Sequence, residues 1–168
     1  MAIEVLALTA EAFAPFGDVI EASDNAQHYD INYGFTRRYH DLAEVDANAN
    51  NGKVGISIFR SAPQPWPIHI RLLERHPLSS QAFMPLDKRY YLIVVALPLA
   101  VLDESTIKVF LAAPHQGVNY HAGTWHHYSL ALNQPSDFLV IDRIGQGPNC
   151  DEVSLQHPFS LQIHEVFG

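Results

Sequence analysis

Along most of this chain, apolar and polar positions alternate in short runs with a two-residue period rather than in long stretches of helical period. The runs KVGISIF (53–59), IHIRLLE (68–74), YYLIVVAL (90–97), IKVFLAA (107–113), YSLAL (128–132) and DFLVIDR (137–143) are rich in branched and aromatic residues. Between them stand NNG, SAPQPWP, APHQG and NQPSD, the turn chemistry that ends strands. No amphipathic stretch long enough for a helical crossover separates the runs, so the pattern predicts an all-β barrel and not a parallel βαβ fold. Near the start, Thr9 is placed to cap a short helix over AEAFA (10–14), which Pro15 and Gly17 would end. DANANNGK (46–53) reads as an exposed loop, and the tail after Cys150 carries no pattern that places it. With no fixed-period repeat and no linker, residues 1–168 are expected to form one domain.

Successive strand residues point to opposite faces, so each run divides by parity. In IHIRLLERH, Ile68, Ile70, Leu72, Glu74 and His76 fall together, and a core-facing side would therefore end in a carboxylate and an imidazole. In KVGISIFR the face of Val54, Ile56 and Ile58 continues to Arg60, which turns a guanidinium inward. In HHYSLAL, Leu132, Leu130, Tyr128 and His126 share a face, so His126 turns in and His127 out. Both parities of YYLIVVAL are apolar, which suits either a central strand or a dimer interface. For one strand alone, such a polar end belongs at a barrel rim. Three strands ending alike point to a shared hollow, because a buried Glu, Arg and His must pair with one another, with a metal or with a ligand.

Composition narrows the partners. The chain has 168 residues, enough for a hydrophobic core without covalent staples. A formal net charge of -8, with ten Lys and Arg, gives no basic surface for nucleic acid or an anionic membrane, so a small molecule is the expected partner. The single cysteine, Cys150, excludes an internal disulfide and a Cys-rich zinc site. The start MAIEVLALTAEAF lacks the features of a signal peptide and no later run reaches membrane-spanning length; a cytoplasmic protein is expected.

Glu74-Arg75-His76 followed by Gln81, and His121-Ala122-Gly123-Thr124-Trp125-His126, resemble the two metal-binding motifs of the cupin superfamily. In that family H-x-H followed by E, and a later P-x-G-x-x-H, bring three imidazoles and a carboxylate to one metal inside a small β-barrel, the double-stranded β-helix. Here Glu74 takes the place of the first histidine, Gln81 that of the carboxylate and His121 that of the proline. The resemblance implies a ligand set of Glu74, His76, Gln81 and His126 for a divalent metal. Because a neutral Gln oxygen is a weaker ligand than a carboxylate, a loosely held metal and a metal-free site both stay open. RYHDLA (38–43), LERHPLSSQAFMPL (73–86), GVNYHAGTWHH (117–127) and DFLVIDR with the following Asn149-Cys150 are similar, in the same order, to the ureidoglycolate lyase family of ureide catabolism, formerly called ureidoglycolate hydrolase. That resemblance implies a cupin-like β-barrel with a short N-terminal helix and minor helical turns, a homodimer, and cleavage of ureidoglycolate to glyoxylate and urea in allantoin and purine-nitrogen degradation. It also implies nickel, as in some members, while zinc and manganese suit the same donors.

Ureidoglycolate carries a hydroxyl and a ureido nitrogen on one carbon, beside a carboxylate. Releasing urea requires a base at the hydroxyl, an acid at the departing nitrogen and a cation for the carboxylate. His76, His121 and His126 are the natural proton carriers, and Glu74 is either a metal ligand or the base. Arg60 is first for the carboxylate on parity, with Arg38 and Arg143 competing, and at least one of the three is expected to pair with an acid such as Asp41, Asp142 or Glu74. Gln81 has a donor and an acceptor for the ureido amide, or for a bond between adjacent strands. Two other readings remain: an amidohydrolase that attacks the ureido carbonyl and releases ammonia and carbon dioxide, and a noncatalytic cupin that binds a small anion.

Overall fold

The Thr9 side chain accepts a hydrogen bond from the Ala12 backbone N–H at the head of the first helix, α1 (Ala10–Phe13), in the computed structural model, which describes residues 3–168. Apart from 3-10 turns at Asn32–Gly34, Ala49–Asn51 and Glu104–Thr106, the other regular structure is mainly β: β1 (Val5–Ala7), β2 (Gly17–Ile20), β3 (His28–Ile31), β4 (Thr36–Tyr39), β5 (Lys53–Ser61), β6 (Ile68–Arg75) and β7 (Gln81–Pro85). It continues with β8 (Tyr91–Ala96), β9 (Lys108–Ala112), β10 (Gly117–Tyr120), β11 (Trp125–His126), β12 (Leu130–Ala131), β13 (Ser136–Ile144) and β14 (Asp151–Leu161), closing on α2 (Ile163–Phe167). The run 46–53 is largely exposed, as its polarity predicts, but Ala47 is buried.

Two sheets form the curled, cupin-like body. One runs β1-β9-β8-β11-β6-β14 with β12 also on β8; the other runs β2-β10-β7-β13-β5. Between them lies a core of Phe13, Phe83, Ile93, Val95, Phe110, Val118, Tyr120, Phe138 and Val140. A second core covers the opposite face of the first sheet, with Ile68, Ile70, Leu73, Leu92, Val94, Trp125, Leu130, Leu161 and Val166. The strand β8 is buried at every residue and feeds both cores, Tyr91, Ile93 and Val95 to one and Leu92, Val94 and Ala96 to the other. Its two-sided apolar sequence therefore marks a central strand, not an interface.

Three of the inward faces expected from parity are corrected by the register. Trp125 and His126 pair with Ala96 and Val95, whereas Leu130 and Ala131 pair with Leu92 and Tyr91. From His126 to Leu130 is four residues, against three from Val95 to Leu92, which is a one-residue bulge. His126 therefore faces the core between the sheets, and Leu130 and Leu132 face the other one. His127, expected outward, is buried inside this bulge at 3% exposure. In β6 the alternation also slips: Leu73, not Leu72, joins Ile68 and Ile70 in the second core, beside the irregular pairing with β14 between Ser154 and Phe159. Glu74 is thereby the register partner of His126, on the opposite face from Ile68 and Ile70.

The third correction is larger. On β5 the apolar side faces outward, with Val54, Ile56 and Ile58 exposed at 53%, 71% and 61%. The strand is the edge of its sheet, and on its other parity Phe59, still 38% exposed, packs edge-on against Phe83. Arg60 accordingly turns away from the core and forms a cross-strand ion pair with its register partner Asp137.

A second feature absent from the sequence reading is the hairpin β3–β4, a separate two-stranded sheet whose turn exposes Tyr33 and Phe35 almost completely. The tail after Cys150 supplies β14, and α2 is opened by a capping box between Gln162 and Glu165.

Gly17 opens β2 opposite Tyr120, and a β-carbon there would collide with the Asn119 carbonyl oxygen. Gly17→Ala should therefore push β2 off β10 and lower unfolding free energy by roughly 1–3 kcal/mol, read as a lower urea midpoint at unchanged slope.

Candidate active site

The hollow is built by three adjacent pieces of chain. Glu74 lies near the end of β6, His76 follows that strand directly, and His126 ends β11. One ligand-capable atom from each of these three residues lies within 4.8 Å of the others. The approach to His126 passes through Gly123, whose φ of +81° favours glycine and whose N–H donates to the His76 carbonyl oxygen. The turn of the second motif is thus tied directly to the first. The His76 and His126 rings lie 5.1 Å apart, and Tyr120 from the opposite sheet stacks on His126 at 4.2 Å with an interplanar angle of 4°.

Hydrogen bonding determines what these imidazoles offer. His76 Nδ1 is 2.6 Å from the Asn149 carbonyl oxygen, and His126 Nδ1 is 3.1 Å from that of His127. A carbonyl oxygen only accepts, so each Nδ1 carries the proton and each Nε2 presents a lone pair. Both Nε2 atoms are buried with no hydrogen-bond partner. Two orphaned lone pairs beside a carboxylate, each imidazole oriented by a backbone carbonyl, are the donor chemistry of a divalent cation site. The residues present therefore fit such an ion. Burial, aided by the neighbouring His76, pushes the His126 pKa down from 6.5 to about 3, so the ring is neutral across the physiological range. It is suited to ligation and not to acid catalysis. Burial, and then the Glu74 charge, raise the Tyr120 pKa, so its phenol stays protonated.

Gln81 faces the same interior from the second sheet, opposite Tyr120 in register. Its Nε2 donates to Asp142 Oδ2 at 3.0 Å, which leaves Oε1 buried and without a partner. His121 is placed elsewhere: it is half exposed, with Nε2 3.3 Å from Asp18 Oδ1. The three arginines are not brought to the cluster. Arg60 is held at the surface by Asp137, and Arg38 lies exposed on β4. Arg143 is buried as a clamp, donating to the carbonyls of Ala49 and Gln146. One arginine does pair with an acid, but with Asp137 and not with Asp41, Asp142 or Glu74.

Four neighbours of the cluster were not anticipated: Tyr120, Asp142, the Asn149 carbonyl, and Cys150, whose thiol donates to Glu74 Oε2 at 3.7 Å. Parity would have put Asp142 with Phe138 and Val140, facing inward. No sequence signal marks a carbonyl. Because the unfolded chain protonates His126 near 6.5 and the folded one only near 3, stability is full above pH 6.5 and falls as the pH drops toward 3. His127, also shifted down by burial, adds to the same trend. Urea unfolding of metal-free protein across this window should show His126→Gln losing about 1.4 kcal/mol per pH unit of slope.

The family model described as ureidoglycolate lyase matches residues 1–162. The ureidoglycolate lyase of Burkholderia cepacia is 47% identical over 161 residues, covering 96% of this chain and 90% of that protein. That of Azotobacter vinelandii is 50% identical over 157 residues, 94% of each chain. That of Pseudomonas syringae pv. tomato is 53% identical over 146 residues, covering 86% of this chain and 85% of the relative. With one family model running almost end to end and relatives near half identity over nearly the whole length, the chain belongs to the ureidoglycolate lyase family.

Proposed function

We propose that this protein is a lyase that cleaves ureidoglycolate to glyoxylate and urea, working in the hollow formed by Glu74, His76 and His126. The observation that carries the reading is the convergence of these three donors, with both imidazole Nε2 atoms buried and unpartnered, in a chain of this family. His76 and His126 would hold a divalent cation together with one oxygen of Glu74, nickel being the metal the resemblance implies and zinc or manganese suiting the same donors. Such a cation, when bound, polarises the substrate hydroxyl and lowers its pKa.

The other Glu74 oxygen takes the hydroxyl proton. As the carbonyl forms and the C–N bond breaks, the electron pair leaves with the ureido nitrogen, and Glu74 returns the proton there. One carboxylate thus serves as base and then acid, so neutral His126 is not needed as an acid and His121, half exposed beside Asp18, lies outside the proton path. Gln81 offers Oε1 to the ureido N–H groups while Asp142 fixes its amide. Arg60 and Arg143 drop out as carboxylate anchors because Asp137 and backbone carbonyls already hold them. Arg38 has no part in this proton path.

We further propose a homodimer in the cytoplasm, built on the outer face of β5. Val54, Ile56 and Ile58 are exposed there beside half-buried Leu139 and Ile141, an apolar surface of the kind that a second copy covers in an isologous contact. Among the described residues no helix is long and apolar enough to cross a membrane.

Purified protein should release glyoxylate and urea in equal amounts, with Glu74→Gln slower by roughly 10²–10⁴-fold. His126→Ala should lose bound metal as well as activity, which elemental analysis reads. Ammonia and carbon dioxide would instead identify the amidohydrolase, and no product above the spontaneous rate, with or without nickel, zinc or manganese, would leave a binding protein. In sedimentation the wild type should run as a dimer, and the double variant Ile56→Asp, Ile58→Asp as a folded monomer.

A further inference from the structure

Cys150 plays no part in the reaction as derived, yet among the described residues its thiol is the one side-chain hydrogen-bond donor to Glu74. The backbone around it is firmly held. Asn149 accepts from His76 Nδ1 and, through its side chain, from the Leu78 N–H, and its amide donates to Ser79. On the other side Asp151 is ion-paired at 2.8 Å with Arg75, its register partner. These contacts fasten residues 149–151 to Arg75, His76 and the turn that follows, which sets Cys150 beside Glu74.

We infer that Cys150 is a fourth donor to the cation site, turning a carboxylate and two imidazoles into a mixed site with one sulfur ligand. The inference rests on the reading that Glu74, His76 and His126 hold a cation. An oxygen at about 2.1 Å and a sulfur at about 2.3 Å from one ion stand roughly 3.6 Å apart across a tetrahedral angle. The observed Glu74 Oε2 to Cys150 Sγ separation is 3.7 Å. The sulfur is not among the donors that all meet within 4.8 Å, so ligation draws it toward the two imidazoles while it stays beside the Glu74 oxygen. Cys150 is exposed, so packing does not lock its side chain in one rotamer. The second observation is His126 Nε2, an unpartnered atom of a residue only 1% exposed, which faces this same cluster. On binding, the sulfur–hydrogen bond is exchanged for a sulfur–metal bond and the proton passes to water. A soft thiolate at this corner, where the superfamily motif places none, biases the site toward zinc or nickel and against manganese.

The test is titration of chelator-stripped protein with cobalt(II), followed by absorption, alongside Cys150→Ser and Cys150→Ala. Wild type should develop visible ligand-field bands together with a near-ultraviolet sulfur-to-cobalt charge-transfer band. Both variants should keep the visible bands, lose the ultraviolet one and bind zinc roughly tenfold more weakly. Their preference for zinc over manganese should shrink. Visible bands without charge transfer in the wild type, or variants that match it, overturn the inference and leave the three-residue cation site standing. No cobalt bands in any of the three proteins overturn both. Circular dichroism on the same samples separates lost ligation from lost fold.

Discussion

The register pairing of His126 with Glu74 is the contact on which the site depends. In an antiparallel ladder, directly opposed residues share a face, so one hydrogen-bonded register commits a carboxylate and an imidazole to the same side of the sheet. The bulge after His126 and the slip before Leu73 then aim that side at the space between the sheets. Without the two irregularities, His126 would share the face of Leu130 and Glu74 that of Ile70. Both polar groups would then sit in the second core, where Trp125 and Val94 offer no partner for them.

That dependence explains what was legible beforehand. The all-β class, the capped first helix and the central position of β8 follow from local chemistry: alternation, a threonine N-cap, and a strand apolar on both sides. Glu74, His76 and His126 were singled out, but the strict alternation used to orient them fails in both strands, and it is the motif spacing that locates them. A bulge is a fact about a partner strand and leaves no mark on its own sequence. The rule failed outright at β5, where an apolar face is turned outward, and Arg60 went with it. The β3–β4 hairpin escaped notice because HYDI and TRRY are too polar to read as strands, and β14 because its pairing is interrupted.

The contacts around the cluster divide into those that hold it in place and those that leave capacity open. Backbone carbonyls of Asn149 and His127 fix the tautomers of His76 and His126, Asp142 fixes the Gln81 amide, and Tyr120 covers the His126 ring. What these supports leave unpaired are two Nε2 lone pairs and the Gln81 carbonyl oxygen, all acceptors. An interior so poor in donors invites a cation or the N–H groups of a urea-like substrate, and a bound cation is what would offset the charge of a substrate carboxylate there. The three candidate arginines, engaged or exposed away from the cluster, supply no such charge.

The strand β8 forms the common wall of two cores that otherwise share little. Its alternate residues are committed to opposite sides, so loosening either cluster removes support from the backbone on which the other is mounted. Two hydrophobic units built this way cannot melt one at a time, and thermal unfolding should be a single all-or-none event despite the doubled interior.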